Sequence, residues 1–204
     1  MQGEHEVAVL RLGHRPGRDD RMTTHVGLAA RALGADRAIL VGRTDQSRRT
    51  VRDITDRFGG PFEVETTDEY RPILREYGER GTVVHLTMYG EPVQAVEDAV
   101  RDAHAEGPLL VVVGAEKVPF EVYEAAEFNV GVTNQPHSEV AGLAVFLDRL
   151  FEGRELDREW IDAEKQVVPQ AIGKRVEPAD GGTGTDGTSD DGTDGTSDDG
   201  GSTG

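Results

Sequence analysis

Residues Leu109-Leu110-Val111-Val112-Val113 form an aliphatic run without a polar member. A strand that carries apolar side chains on both faces has to be covered on both faces, and that is the habit of a strand inside a helix-clad parallel sheet. The rest of the chain alternates around it. Strands are predicted at Val7 to Leu12, Arg37 to Val41, Phe62 to Glu65 (near an edge), Thr82 to Thr87 and Phe128 to Val132. Helices are predicted between them. The first runs from His25 to Leu33, capped by Thr23 or Thr24 and closed by Gly34. Gln46 to Phe58 follows, with Val51, Ile54 and Phe58 on one face, then Tyr70 to Tyr77 interrupted early by Pro72. Pro92 opens a helix to Ala105, Phe120 to Ala126 is short, and Val140 to Leu150 is apolar. This order predicts an α/β fold, a mostly parallel sheet flanked by helices.

In such a sheet the turns after three successive strands, at Leu86 to Gly90, Gly114 to Val118 and Val132 to Glu139, fall on one side and can build one pocket. Asn134-Gln135-Pro136-His137 reads as a fixed polar turn, because Pro136 bars a helix from running back through it. Ser138 is the expected N-cap of the last helix, and Glu139 adds negative charge in its first turn. A second unusual loop follows the first strand: Gly13 to Met22 places Arg15, Arg18 and Arg21 at every third position among Pro and Gly. Exposed guanidinium forks suit carboxylate or phosphate. The competing reading is a salt-bridged surface turn, in which Asp19 and Asp20 pair with the arginines internally. His85 reads as a core histidine, His137 as a loop hydrogen-bonder and Lys117 as a charge on the pocket lip. The six histidines share no helical spacing that would suggest metal ligands, and neither a dinucleotide fingerprint nor a phosphate-cradling loop occurs.

There is no cysteine, so disulfides and thiolate metal sites are excluded. No apolar run reaches the length of a membrane span and the first residues lack a secretory pattern, which makes the cytoplasm the expected compartment. The net charge is −17, of which seven aspartates between Asp180 and Gly204 contribute −7, leaving −10 on the first 179 residues. With lysine confined to Lys117, Lys165 and Lys174, we read this acidity as adaptation to high salt. Molar salt shortens the Debye length to roughly 3 Å, so acidity does not exclude RNA as a partner. Three regions are expected: residues 1–153 as the α/β domain, 154–178 as an extension with a β-hairpin around Gln166 to Val176, and 179–204 as a disordered acidic tail. In that tail the octapeptide Thr-Asp-Gly-Thr-Ser-Asp-Asp-Gly occurs twice in succession.

Four segments in order carry a more specific signal. Leu10-Arg11-Leu12-Gly13-His14-Arg15 with Arg18-Asp19-Asp20-Arg21-Met22-Thr23-Thr24-His25, then His85 to Gly90, Val113 to Pro119 and Asn134 to Val140 resemble the archaeal tRNA (cytidine-56-2′-O)-methyltransferases. The resemblance runs from Val7 to about Val176 and leaves the acidic tail outside. It implies the SPOUT class of S-adenosyl-L-methionine enzymes, with a C-terminal trefoil knot and an active site at a homodimer interface. It further implies tRNA as substrate and main-chain contacts to the methyl donor at Leu86, at Gly114, Ala115, Glu116, Lys117 and Val118, and at Val132, Thr133, Asn134, Gln135, Pro136, His137, Ser138 and Glu139. In the wider class an arginine near the first strand is thought to assist catalysis. The candidates here are Arg15, Arg18 and Arg21, with Arg31 as a competitor. Two other readings stay open: a non-catalytic nucleotide- or RNA-binding module, and a small-molecule enzyme using His137 or Lys117.

Overall fold

The structure is a computed structural model, described for residues 5–114 and 117–179. Six strands form one sheet: β1 Val7–Leu12, β2 Arg37–Val41, β3 Glu63–Thr67, β4 Thr82–Pro92, β5 Leu109–Gly114 and β6 Phe128–Gly131. The order across the sheet is β3-β2-β1-β5-β4-β6, and every neighbouring pair is parallel. The aliphatic run thus lies in β5, between β1 and β4. β1 is as deeply placed as β5, with all six residues buried.

Alternation along β1 sorts the two cores. Val7 and Val9 face one layer with Val26 and Ala30 of α1 (Asp20–Ala32), Val51 of α2 (Asp45–Phe58), Val96 and Val100 of α4 (Val93–Glu106), and Leu143, Phe146 and Leu147 of α6 (Glu139–Phe151). Ala8, Leu10 and Leu12 face the other, with Leu74 and Tyr77 of α3 (Arg71–Arg80) and Val122 of α5 (Phe120–Ala125). Both faces of the sheet are covered, as the apolar strands demand.

Element boundaries differ from expectation where side chains do something other than the simplest cap. α1 begins at Asp20, not His25. Thr23 and Thr24 do not cap it: their hydroxyls donate to the carbonyls of Asp19 and Asp20, 2.9 Å each, one turn back inside the helix. Arg21 and Met22 therefore belong to the helix and leave the loop. Pro72 does not interrupt α3; it sits in the first turn, where its missing N–H costs nothing. β3 starts one residue late and ends two residues late, at the sheet edge as expected. β4 does not stop at Thr87 but continues to Pro92, with a register shift against β6 between Leu86 and Glu91.

Past α6 the chain makes a 3-10 turn at Arg154–Asp157 and an antiparallel hairpin of β7 Lys165–Val168 and β8 Arg175–Pro178, as the sequence predicts. Trp160 and Ile161 tie this segment back. Gly60 and Ile161 exchange backbone hydrogen bonds of 2.8 and 3.1 Å, and Trp160 lies under the Arg31 guanidinium. The neighbouring Gly59, at φ +87°, has no room for a side chain, since a Cβ would stand 2.7 Å from the Ile161 carbonyl oxygen. Ala179 is the last described residue, so the expected acidic tail lies outside the described residues.

Candidate functional site

The ends of β5, β4 and β6, three adjacent strands, open into one cavity of about 490 Å³. Its walls come from the three segments the sequence brings together: His85 to Tyr89 of β4, Val113 and Gly114 of β5 with Lys117 and Val118 beyond, and Pro136, His137, Glu139 and Gly142 around the start of α6. Tyr123 of α5 completes it. The cavity sits outside the carboxyl ends of parallel strands, where α/β proteins place their ligands.

Local chemistry holds each wall. Ser138 caps α6 as expected, its hydroxyl accepting from Ala141 N at 3.1 Å. Asn134 donates from Nδ2 to the Met88 carbonyl at 2.9 Å and so ties the turn after β6 to the bulged part of β4. His137 Nδ1 meets the Gln135 carbonyl at 2.8 Å, which turns the imidazole over Gly142. A Cβ on Gly142 would stand 2.8 Å from His137 Nε2, so this helix turn is bare for the ring to approach. The strand ends are equally close: a Cβ on Gly90 would meet the Asn129 carbonyl oxygen at 2.4 Å.

His85 is both a core histidine and a cavity residue. It is 1% exposed, and burial holds its pKa below the usual histidine value, so the ring is neutral at pH 7. Asn129 donates from Nδ2 to the Tyr123 carbonyl, which leaves Oδ1 to accept at 2.9 Å from His85 Nδ1–H and makes Nε2 the acceptor nitrogen. Tyr123 packs edge-on against the ring at 4.5 Å and shares a hydrogen bond with Thr87.

Of the expected donor-binding residues, Leu86, Gly114, Lys117, Val118, Pro136, His137 and Glu139 line the cavity. Val132, Thr133, Asn134, Gln135 and Ser138 build the turn and the helix cap instead of the lining. Ala115 and Glu116 lie outside the described residues. The arginines are placed differently from the cavity residues: Arg15, Arg18 and Arg21 do not line it. Arg15 is clamped to Asp19 by its backbone N–H and its Nε, both at 2.9 Å, which is the internal pairing the salt-bridged reading anticipates. These hydrogen bonds pull the Asp19 carboxyl down to about 2. Arg18 and Arg21 are exposed. Arg31 is 7% exposed and occupied, donating to the Gly59 carbonyl and stacked on Trp160, away from the strand ends.

Sequence reading missed the side chains that neighbour these segments in space. Val113, Tyr123 and Gly142 join the lining, whereas Thr87, Met88 and Tyr89 fall within the expected segment Leu86 to Gly90. Arg11 was also missed, and its signal was available: one charged residue inside an otherwise apolar strand. It is 1% exposed and donates to Glu139 at 2.9 Å.

Comparisons with known proteins bear on the family and the fold. The family model described as tRNA ribose 2′-O-methyltransferase, aTrm56, matches residues 58–177. A tRNA (cytidine(56)-2′-O)-methyltransferase of Natronomonas pharaonis is 71% identical over 180 residues, 88% of this chain and 99% of that protein. One from Thermococcus kodakarensis is 54% identical over 172 residues, 83% of this chain and 96% of that protein. Among solved structures, a TrmH/SpoU tRNA modifying enzyme of A. aeolicus superposes with a TM-score of 0.53 at 15% identity, covering 76% of this chain and 79% of that one. The SpoU methyltransferase AviRb of Streptomyces viridochromogenes gives 0.51 at 13% identity, covering 74% of this chain; the chain spans 58% of that protein's length. At such identities the two structures establish the fold, which is that of the SpoU/TrmH methyltransferases. The matches in sequence, over most of its length, settle the rest: the chain belongs to the tRNA ribose 2′-O-methyltransferase family.

Proposed function

We propose that this protein methylates the ribose 2′-hydroxyl of cytidine 56 in tRNA with S-adenosylmethionine as donor. The observation that carries the proposal is the cavity at the ends of β5, β4 and β6, in a chain 71% identical to a curated enzyme of that activity. The residues present fit the donor. A cavity of about 490 Å³ lies within the range that small ligands use, and its wall combines apolar Leu86, Met88, Val113 and Val118 with polar Thr87, His137 and Glu139. The bare backbone at Gly114 leaves room for close approach of a nucleoside.

When bound, the donor supplies an electrophilic methyl group on a cationic sulfur. Leu86, Gly114, Lys117, Val118, Pro136, His137 and Glu139 would hold it directly. Asn134, Gln135 and Ser138 would keep their turn in place, with Ala115 and Glu116 in the neighbouring loop. The ribose hydroxyl is a weak nucleophile and has to lose its proton during transfer. A guanidinium stays protonated in proteins, so Arg18 or Arg21 would act by stabilising developing negative charge or by holding the adjacent phosphate. The Arg15–Asp19 clamp would fix the loop that presents Arg18 against the first turn of α1, which carries Arg21. Such contacts position an RNA backbone, while recognition of a folded tRNA rests on shape and the 2′-hydroxyl.

The same reading includes a homodimer, whose partner would bring the exposed arginine loop to the cavity, and a trefoil knot formed as the chain passes from edge strand β6 to α6, which packs against the middle of the sheet. A tRNA substrate implies a cytoplasmic site of action; no described helix is long and apolar enough to cross a membrane.

The test is incubation of the purified protein with methyl-labelled S-adenosylmethionine and unmodified tRNA transcript, followed by mapping of the label. Label on the ribose of cytidine 56 is the expected outcome. Donor bound without transfer would favour a non-catalytic nucleotide-binding module, and no binding would favour a small-molecule enzyme using His137 or Lys117.

A further inference from the structure

Arg11 and Glu139 form a buried ion pair that stability alone does not explain. β1 is apolar apart from Arg11, and the alternation that points Val7 and Val9 towards α1 and α6 points Arg11 the same way. There its Nη2 meets Glu139 Oε1 at 2.9 Å, with the two side chains 1% and 10% exposed. The pair is only half satisfied. Arg11 Nε, Arg11 Nη1 and Glu139 Oε2 are buried without a hydrogen-bond partner among the described residues. Buried charges usually gain further hydrogen bonds, and an apolar pair of similar volume is often as stable as a buried ion pair or more so. An incompletely bonded pair at this depth therefore asks for another role.

Its placement suggests one. Arg11 lies in the sheet, paired in register with Val113, and Glu139 lines the cavity in the first turn of α6. The dipole of the pair thus turns its negative end towards the cavity and keeps its positive end in the strand behind. Among the described lining residues Glu139 is the one acidic side chain, against Lys117 as the one lysine or arginine. His85 is kept neutral by burial.

We propose that Glu139, held in place by Arg11, is a specificity-determining residue that makes the cavity prefer the cationic sulfonium donor to the neutral thioether product. This rests on the donor reading above. Donor and product differ by one methyl group and one positive charge, so a carboxylate on the wall attracts the first and is indifferent to the second. The Arg11 charge behind the carboxylate offsets much of that attraction, and what remains at a few ångströms is roughly a tenfold preference. The product, lacking that attraction, leaves more readily. Arg11 is the positioning residue: it fixes which way the carboxylate stands and neutralises it in the empty fold.

Titration calorimetry with S-adenosylmethionine and S-adenosylhomocysteine tests this on the full chain. In Glu139→Gln the preference for the donor should fall by about tenfold, with product affinity within about twofold of the unaltered protein. That variant strands the Arg11 charge and can fold poorly, so the double variant Arg11→Met with Glu139→Gln removes both charges at similar volume. It should melt near the unaltered protein and show the same lost preference. If donor and product weaken by an equal factor in the folded double variant, or neither changes, the pair is structural and the inference is overturned. If the unaltered protein binds neither compound, the donor reading falls first and takes this one with it.

Discussion

At the scale of single residues, two glycines separate the shape of the cavity from the stability of the fold. A methyl group at Gly142 would press on His137 Nε2, the tip of an exposed side chain that can swing aside. A methyl group at Gly90 would press on the Asn129 and Val130 backbone, which cannot yield without parting β4 from β6. Gly142→Ala should therefore leave the melting temperature nearly unchanged while lowering donor affinity, and Gly90→Ala should cost about 1–3 kcal/mol of stability, the usual toll of overpacking. Thermal melts and calorimetry on both variants check this contrast. Glu155 provides a pH test. It is 1% exposed, and burial raises its pKa above the ordinary carboxyl value. Between the unfolded and folded pKa values the native state holds the extra proton, so stability is highest below the unfolded value and falls as pH rises through the folded one. Glu155→Gln cannot ionise and should melt higher than the unaltered protein at pH 7, with the gain vanishing towards pH 4. A gain that persists unchanged at pH 4 would exclude ionisation as its cause.

At the scale of elements, the arginine loop and α1 act together. The Asp19 carboxyl, pulled down to about 2 by Arg15, has its lowered pKa expressed as stability above the unfolded value of about 4, lost as pH falls through about 2. The clamp is thus intact throughout the neutral range. Singly replacing Arg15, Arg18 and Arg21 by alanine should leave donor affinity within about twofold, since none lines the cavity, and at least one replacement should abolish methyl transfer. Unchanged turnover in all three would remove the loop from the mechanism. This loop also marks how far the sequence could be read. Strand and helix identities followed from periodicity, and the three turns around the cavity followed from the rule for parallel sheets, because both are local patterns. The start of α1 did not, because Thr23 and Thr24 satisfy carbonyls one turn back, whereas the same residue type could equally have capped a helix. The extension of β4 to Pro92 depends on its bulged pairing with β6, some forty residues on, and the Arg11–Glu139 contact joins positions 128 apart. Such relations exist in the packing and leave little trace in any single segment.

At the scale of the molecule, the question is what holds together an acidic body with little lysine. Part of the answer is arginine pairing across elements. Glu6 accepts from Tyr77 at 2.7 Å and Arg80 at 3.0 Å and lies 3.1 Å from Arg37, while Arg149 of α6 reaches Glu97 of α4 at 3.1 Å. Most such pairs are at least partly exposed and contribute about 0–1 kcal/mol each, less in salt. Opposing them is the self-repulsion of a net charge of −17, which acts over the whole surface and is screened by the same salt. Because repulsion is long-ranged and the pairs are short-ranged, screening at a Debye length of roughly 3 Å removes more of the first than of the second. Potassium chloride raised from about 0.1 M to 1 M, the range over which that length falls from roughly 10 Å to 3 Å, should therefore raise the melting temperature. Ending the chain at Ala179 removes seven aspartates and should flatten this dependence without abolishing methyl transfer, since the family match ends at residue 177. A melting temperature that falls with salt in both forms would mean that the arginine pairs, and not the repulsion, dominate the electrostatics of this fold.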